Sequence, residues 1–126
     1  MIKFEDAIAL SKEYFGGDEL AANVFITKYA LTDKDGAIHE ATPDDMHKRL
    51  AKEFTRIENK YSNPLSEDEI YELFNEFKYV IPQGSPMAGI GNPYQIQSLS
   101  NCFVIGSPWD SYGGILKTDQ ELVQIA

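Results

Sequence analysis

The feature that most restricts the fold is a stretch without any charged side chain, from Ile81 to Trp109. It contains four prolines and four glycines, and no continuous helix can run through that many breaks. A membrane span is excluded for the same reason. We interpret the stretch as ordered loop and strand buried inside a protein, where charges would be costly. A chain of 126 residues has little interior to cover it, so we expect a larger assembly.

Composition excludes several classes of protein. The 20 acidic and 11 basic side chains give a net charge of −9, which argues against a protein whose main task is to bind nucleic-acid backbones. The single cysteine excludes a disulfide framework. Residues 1–6 carry mixed charges and do not resemble a signal peptide, so we expect a soluble, cytoplasmic protein without a membrane segment.

Residues 1–80 carry the signals of a helical region. A first short helix should stop at Gly16–Gly17, Asp18 should cap a second, and Asp33–Gly36 should form a turn. The strongest helix signal is a capping box of Thr42 and Asp45 with proline between them. Its apolar positions follow at helical spacing: Met46, Leu50, Phe54, Ile57 and Tyr61.

A fourth helix should restart at Ser66–Glu69 and end near Lys78. Beyond it, Cys102–Ile105 is a short apolar run of the β type, and we predict a buried strand there. Thr118 and Glu121 form another capping box, which predicts a helix that is cut after about two turns. We therefore divide the chain into a helical region, 1–80, and a second region, 81–126, and expect it to be part of something longer.

Most patterns that suggest catalysis have plainer explanations. His39 and His47 lack the spacing of zinc ligands, and we interpret them as surface histidines. Gly89–Asn92 is a weak match to a phosphate-binding loop, because no strand leads into it. The single cysteine, Cys102, leaves two interpretations open: a small buried apolar residue, or a thiol that faces a ligand pocket from the junction of a loop with a strand.

Three blocks of the second region, in order and spacing, resemble the early catalytic domain of the ribonucleotide reductase large subunit. They are Gly84–Met87, Ser98–Ile105 and Asp110–Ile115, and the segments Phe25–Leu31 and Met46–Phe54 also resemble the helical region of that family. The resemblance implies an α/β fold. In it, the mainly helical N-terminal region leads into the first strand of a ten-stranded α/β barrel, which this chain does not complete.

The resemblance also implies roles for six residues. Cys102 corresponds to the first of two redox cysteines that reduce the ribose and form a disulfide in each turnover. Ser85 and Asn101 correspond to substrate-binding positions, with Asn101 in place of the serine of some members. Asp110, Ser111 and Ile115 correspond to the loop that reads a deoxynucleotide effector, at a site that lies at a dimer interface in the family.

Further partners follow from the resemblance. The family needs the remainder of the catalytic subunit and a thioredoxin-like or glutaredoxin-like reductant. It also needs a radical generator, which is either a metal-containing partner subunit or adenosylcobalamin; the resemblance implies no cofactor or metal on this chain. A second redox cysteine and a thiyl-radical cysteine are missing here, so we expect the chain to be inactive alone. The alternative is a small acidic helical module that binds a protein partner through its uncharged loop.

Overall fold

The computed structural model describes residues 2–125, and those residues form six α-helices and one short 3₁₀ turn. The helices are α1 (Phe4–Tyr14), α2 (Glu19–Lys28), α3 (Pro43–Glu58), α4 (Glu67–Phe74), α5 (Gly84–Gly89) and α6 (Tyr112–Ile125), with the 3₁₀ turn at Asn75–Phe77. Extended pairing in the described chain is limited to isolated antiparallel bridges of Ile38 with Ile2 and with Thr32. The helical N-terminal region is thus confirmed.

The core lies between two helix pairs, α1 with α2 and α3 with α4. The Ser11 hydroxyl on α1 is buried and donates to the Ala41 carbonyl 2.8 Å away, just before α3. The Tyr71 hydroxyl on α4 donates to the Asp44 carboxylate on α3, which raises the pKa of Tyr71 to about 12. The buried apolar side chains of the core are Ala7, Phe25, Ile26, Ile38, Ala41, Met46, Leu50, Ala51, Ile70 and Phe74.

The predicted starts of α2, α3 and α4 are confirmed by their hydrogen bonds. The Asp18 carboxylate accepts from the Ala21 amide at 2.9 Å and caps α2. Thr42 and Asp45 form the capping box of α3, with proline at the first helical position. Ser66 caps α4 in the same way. Local chemistry alone decides these starts, because each cap satisfies amides that the helix itself leaves free.

The end of α4 differs in detail from the prediction. The α-helix stops at Phe74, and a 3₁₀ turn leads from there to Lys78, the predicted end. Glu76 and Phe77 both have positive φ angles in this turn, 54° and 56°. Such angles cost free energy for residues with a Cβ atom. Packing of the Phe77 ring against His47, at 4.6 Å between ring centroids, offsets that cost.

The predicted strand at Cys102–Ile105 is wrong for this chain. These residues are irregular, and no segment within residues 2–125 pairs with them. A strand requires a hydrogen-bonded neighbour, and apolar character alone does not supply one. Within this chain residues 81–109 are each exposed or only partly buried. Their predicted burial in a larger assembly stays a prediction. Met87 and Ile90 pack against the core formed by helices α1–α4, whereas most of residues 91–109 are exposed.

The predicted start of the last helix at Thr118 is wrong as well. Helix α6 already begins at Tyr112, so Thr118 and Glu121 lie inside it. Glycines at positions 113 and 114 are poor helix formers, which weakened the sequence signal for the first turn.

His47 is not the surface histidine that the sequence predicted. Its side chain is fully buried on α3, and neither ring nitrogen has a hydrogen-bond partner within the described chain. The ring stacks on Phe74 at 6.3 Å between centroids. Burial lowers the pKa of His47 below its ordinary value of 6.5, against a smaller opposing effect of Asp44. The neutral ring therefore behaves as a flat core side chain.

This burial predicts a pH-dependent stability. Because the unfolded chain protonates His47 at a higher pH than the folded chain, the free energy of unfolding should fall as the pH drops below 6.5. His47→Phe should remove that part of the decrease, and His39→Gln, which replaces the exposed histidine, should retain it. Urea unfolding at a series of pH values measures both. An equally steep decrease in the His47→Phe chain would contradict the prediction.

Candidate functional site

The structure brings the two predicted substrate-binding residues together. Ser85 lies in the first turn of α5, and its backbone amide donates to the Asn101 side-chain oxygen at 3.0 Å. This bond joins residues sixteen positions apart and holds the loop that contains Asn101 against the start of α5. The Ser85 hydroxyl and the Asn101 amide nitrogen both belong to groups that can bind phosphate or ribose oxygens.

Cys102 follows Asn101 directly and its side chain is exposed. The interpretation as a small buried apolar residue is therefore wrong. An exposed thiol next to Asn101 is accessible to a ligand and to an external dithiol. The neighbouring Phe103 and Val104 are also exposed, at 56% and 100% of their maximal surface.

The three predicted effector-binding residues lie at the start of α6. The Ser111 hydroxyl accepts from the Gly114 amide at 3.0 Å and caps the helix, and the Ser111 carbonyl accepts from the Ile115 amide at 3.0 Å. A Cβ atom on Gly114 would lie 2.5 Å from the Trp109 carbonyl oxygen, so only glycine fits this tight entry. Asp110 and Ile115 are exposed on either side of the cap. Ser111 thus has a structural role in this chain.

A cleft of about 630 Å³ lies between α3 and the segment 89–99. Glu53, Phe54 and Ile57 line it from α3, and Ile96 and Leu99 line it from the opposite side. The six predicted site residues are not among its lining residues in the described chain, so its volume does not identify a substrate site.

Arg49 and Glu40 form an ion pair with little solvent exposure that the sequence interpretation missed. The Arg49 guanidinium donates to the Glu40 carboxylate, with Nε 2.5 Å from Oε1 and Nη2 3.1 Å from Oε2. Nη2 also lies 2.7 Å from the Met87 carbonyl oxygen, and Nη1 donates to the carbonyl of Ile90. Glu40 and Arg49 are nine residues apart, whereas side chains that meet on one helix are three or four residues apart. The sequence spacing therefore gave no sign of this contact.

Within residues 2–125, no group of three or more His, Cys, Asp or Glu side chains is arranged to hold a metal ion.

The helices of the described residues include none that is both long enough and apolar enough to span a membrane.

Comparison with known proteins identifies one family. The family model for the ribonucleotide reductase all-alpha domain matches residues 15–93, which extend from the end of α1 past the end of α5. No curated protein and no solved structure matches the chain significantly. The match includes Ser85 and the Arg49–Glu40 pair, whereas Asn101, Cys102 and Asp110 follow it in the sequence.

Proposed function

We propose that this chain, which belongs to the ribonucleotide reductase all-alpha domain family, supplies one part of a catalytic subunit that reduces ribonucleotides to deoxyribonucleotides for DNA synthesis. The family match over residues 15–93 carries this proposal. The hydrogen bond between the Ser85 amide and Asn101 supports it, because it places two candidate ligand-binding residues side by side beside an exposed thiol.

In this proposal Ser85 and Asn101 hold the ribonucleotide, a diphosphate, beside Cys102. The Cys102 thiol and the thiol of a second cysteine deliver two electrons and two protons. The C–O bond of the ribose hydroxyl breaks, a C–H bond replaces it, the oxygen leaves as water, and the two sulfurs become a disulfide. A thioredoxin-like or glutaredoxin-like dithiol then reduces that disulfide by thiol exchange. The second cysteine lies outside this chain, since Cys102 is its only one. The chain alone is therefore inactive.

The exposed apolar side chains of the second region support an assembly with the remainder of the subunit. Ile96, Val104 and Trp109 are 106%, 100% and 83% exposed. Large apolar side chains that are this exposed favour a surface that another protein segment covers. We propose that the remainder of the subunit covers it and continues from it into an α/β barrel, in a homodimer of the complete subunit in the cytoplasm. Membership of the family favours this over the alternative of an acidic binding module.

The radical that starts the reaction comes from a metal-containing partner subunit or from adenosylcobalamin, and both choices fit the residues of this chain. Asp110, with Ser111 and Ile115, forms part of the site for a deoxynucleotide effector. The exposed Asp110 carboxylate can accept a hydrogen bond from the hydroxyl of a deoxyribose.

The experiment that tests the proposal measures deoxyribonucleotide formation by the complete subunit with a dithiol reductant. Separate reactions contain either the metal-containing partner subunit or adenosylcobalamin, and each effector deoxynucleotide is added in turn. The wild-type subunit should reduce ribonucleotides and change its substrate preference with the effector. Asp110→Ala should blunt that change more than it lowers the basal rate, because it removes one acceptor from the effector site and leaves Cys102 intact. Asp119→Ala, which removes an exposed carboxylate from α6, the helix that follows Asp110, is the matched control.

Two results would count against these assignments. A wild-type subunit that forms no deoxyribonucleotide with any effector would contradict the proposed function. A normal effector response in Asp110→Ala would remove Asp110 from the effector site without affecting the assignment of Cys102.

A further inference from the structure

The buried ion pair of Arg49 and Glu40 also forms hydrogen bonds with backbone groups of other segments. The two side chains are only 9% and 5% exposed. Burying two charges costs much of the free energy that their attraction returns, so such a pair is weak evidence for stability by itself. What distinguishes this pair is the number of backbone groups that it also binds. Glu40 accepts from the Leu31 amide at 3.0 Å, and Arg49 donates to two carbonyls.

Both carbonyls belong to the C-terminal end of α5. Met87 is within the helix and Ile90 is its C-cap, and carbonyls at a helix end lack partners within the helix. The planar guanidinium satisfies both while it remains paired with Glu40. Arg49 therefore anchors the end of α5 to the middle of α3.

Gly91 provides an independent sign of this close contact. Its φ angle is +70°, and a Cβ atom there would lie 3.0 Å from Arg49 Cγ and 3.4 Å from the Arg49 carbonyl oxygen. The backbone after α5 thus runs directly over the Arg49 side chain. Only glycine accepts both this backbone conformation and this separation without strain.

We propose that Arg49, held by Glu40, is a positioning residue that sets the placement of α5 for ribonucleotide binding. Helix α5 is six residues long and is held at both ends. Asn101 holds its start through the Ser85 amide, and Arg49 holds its end through two carbonyls. Without the hydrogen bonds from Arg49, α5 is held only at its start by Asn101, so the helix can rotate about that point and the Ser85 hydroxyl moves. This inference rests on the proposed function, because it takes Ser85 as a ligand of the substrate.

The test uses the complete subunit and compares Arg49→Gln with the wild type in steady-state kinetics. We expect KM for the ribonucleotide to rise about 10- to 100-fold with kcat little changed, because misplacing a binding group weakens ground state and transition state alike. Hydrogen exchange at the amides of residues 84–91 should accelerate in the same variant. Arg49→Lys should recover KM only in part, since an ammonium group cannot match the planar fork.

Arg56→Gln is the matched control, because Arg56 lies on the same helix, is 60% exposed and pairs only with Glu53 among the described residues. Its KM and exchange rates should equal those of the wild type. Gly91→Ala is a second variant in case Arg49→Gln fails to fold. Its added methyl group disturbs the contact between the backbone after α5 and the Arg49 side chain, and it leaves the ion pair in place. It should raise KM and accelerate exchange at residues 84–91 in the same direction.

The outcomes separate this inference from the proposed function. An unchanged KM in both Arg49→Gln and Gly91→Ala would overturn the positioning role, even if Ser85→Ala raised KM and so supported the substrate site. An unchanged KM in Ser85→Ala would remove Ser85 from the substrate site. In that case the positioning role through Ser85 would be overturned, whereas deoxyribonucleotide formation by the wild-type subunit would still support the proposed function.

Discussion

Replacing Cys102 with serine is expected to abolish multiple turnover in the complete subunit while leaving its affinity for ribonucleotide unchanged. Serine has nearly the same shape and its hydroxyl forms hydrogen bonds, but it cannot join a second sulfur in a disulfide. Because Cys102 is exposed in a segment outside the core, the fold should not respond to the change. The reducing step should therefore fail without a loss of binding.

The measurement is deoxyribonucleotide formed per subunit with a dithiol reductant in excess, beside equilibrium binding of the ribonucleotide. Ser107→Ala is the matched control, since Ser107 is exposed in the same uncharged stretch and has no proposed role. The control should turn over many times. Sustained turnover by Cys102→Ser would remove Cys102 from the redox pair.

The starts of α2, α3 and α4 could be predicted from the sequence because the contacts that cause them are local. The caps are formed by Asp18 for α2, by Thr42 with Asp45 for α3, and by Ser66 with Glu69 for α4. In each cap the two residues that interact are three positions apart along the chain. Such contacts depend on spacing alone. The family resemblance of the helical region is confirmed by the match over residues 15–93.

Burial was predicted less well, since periodicity identifies a face of a helix but not what covers it. Met46 and Leu50 are fully buried as the spacing of α3 indicates. Tyr61, assigned to the same apolar face by that spacing, is 65% exposed. Tyr61 lies three residues beyond Glu58, the last residue of α3, so the helical periodicity no longer places it on the buried face.

The contacts of the candidate site depend on long separations along the chain, and spacing rules cannot detect them. Arg49 reaches carbonyls 38 and 41 residues away. Ser85 and Asn101 were identified only through the family resemblance, and the structure shows that they share a hydrogen bond. The strand predicted at Cys102–Ile105 failed for a related reason, because pairing requires a second segment that local propensity does not describe.

The core of the helical region makes the largest prediction about stability. Leu50 is fully buried on α3, in the cluster that also contains Met46 and Phe74. Leu50→Ala should lower the free energy of unfolding by about 3 kcal/mol, from lost apolar burial and from the cavity that remains. Leu20→Ala is the matched control, because the exposed Leu20 side chain buries little surface, and its effect should stay below about 0.5 kcal/mol.

Urea unfolding of the chain, followed by circular dichroism, measures both variants at neutral pH, where His47 is uncharged in the folded state. The midpoint should move strongly for Leu50→Ala and hardly at all for Leu20→Ala, with similar slopes. Equal midpoints for the two variants would mean that α3 does not lie at the centre of the folding unit. A large shift confined to Leu50→Ala would place the stability of this region in the packing of α3 against its neighbours, the same helix from which Arg49 anchors α5.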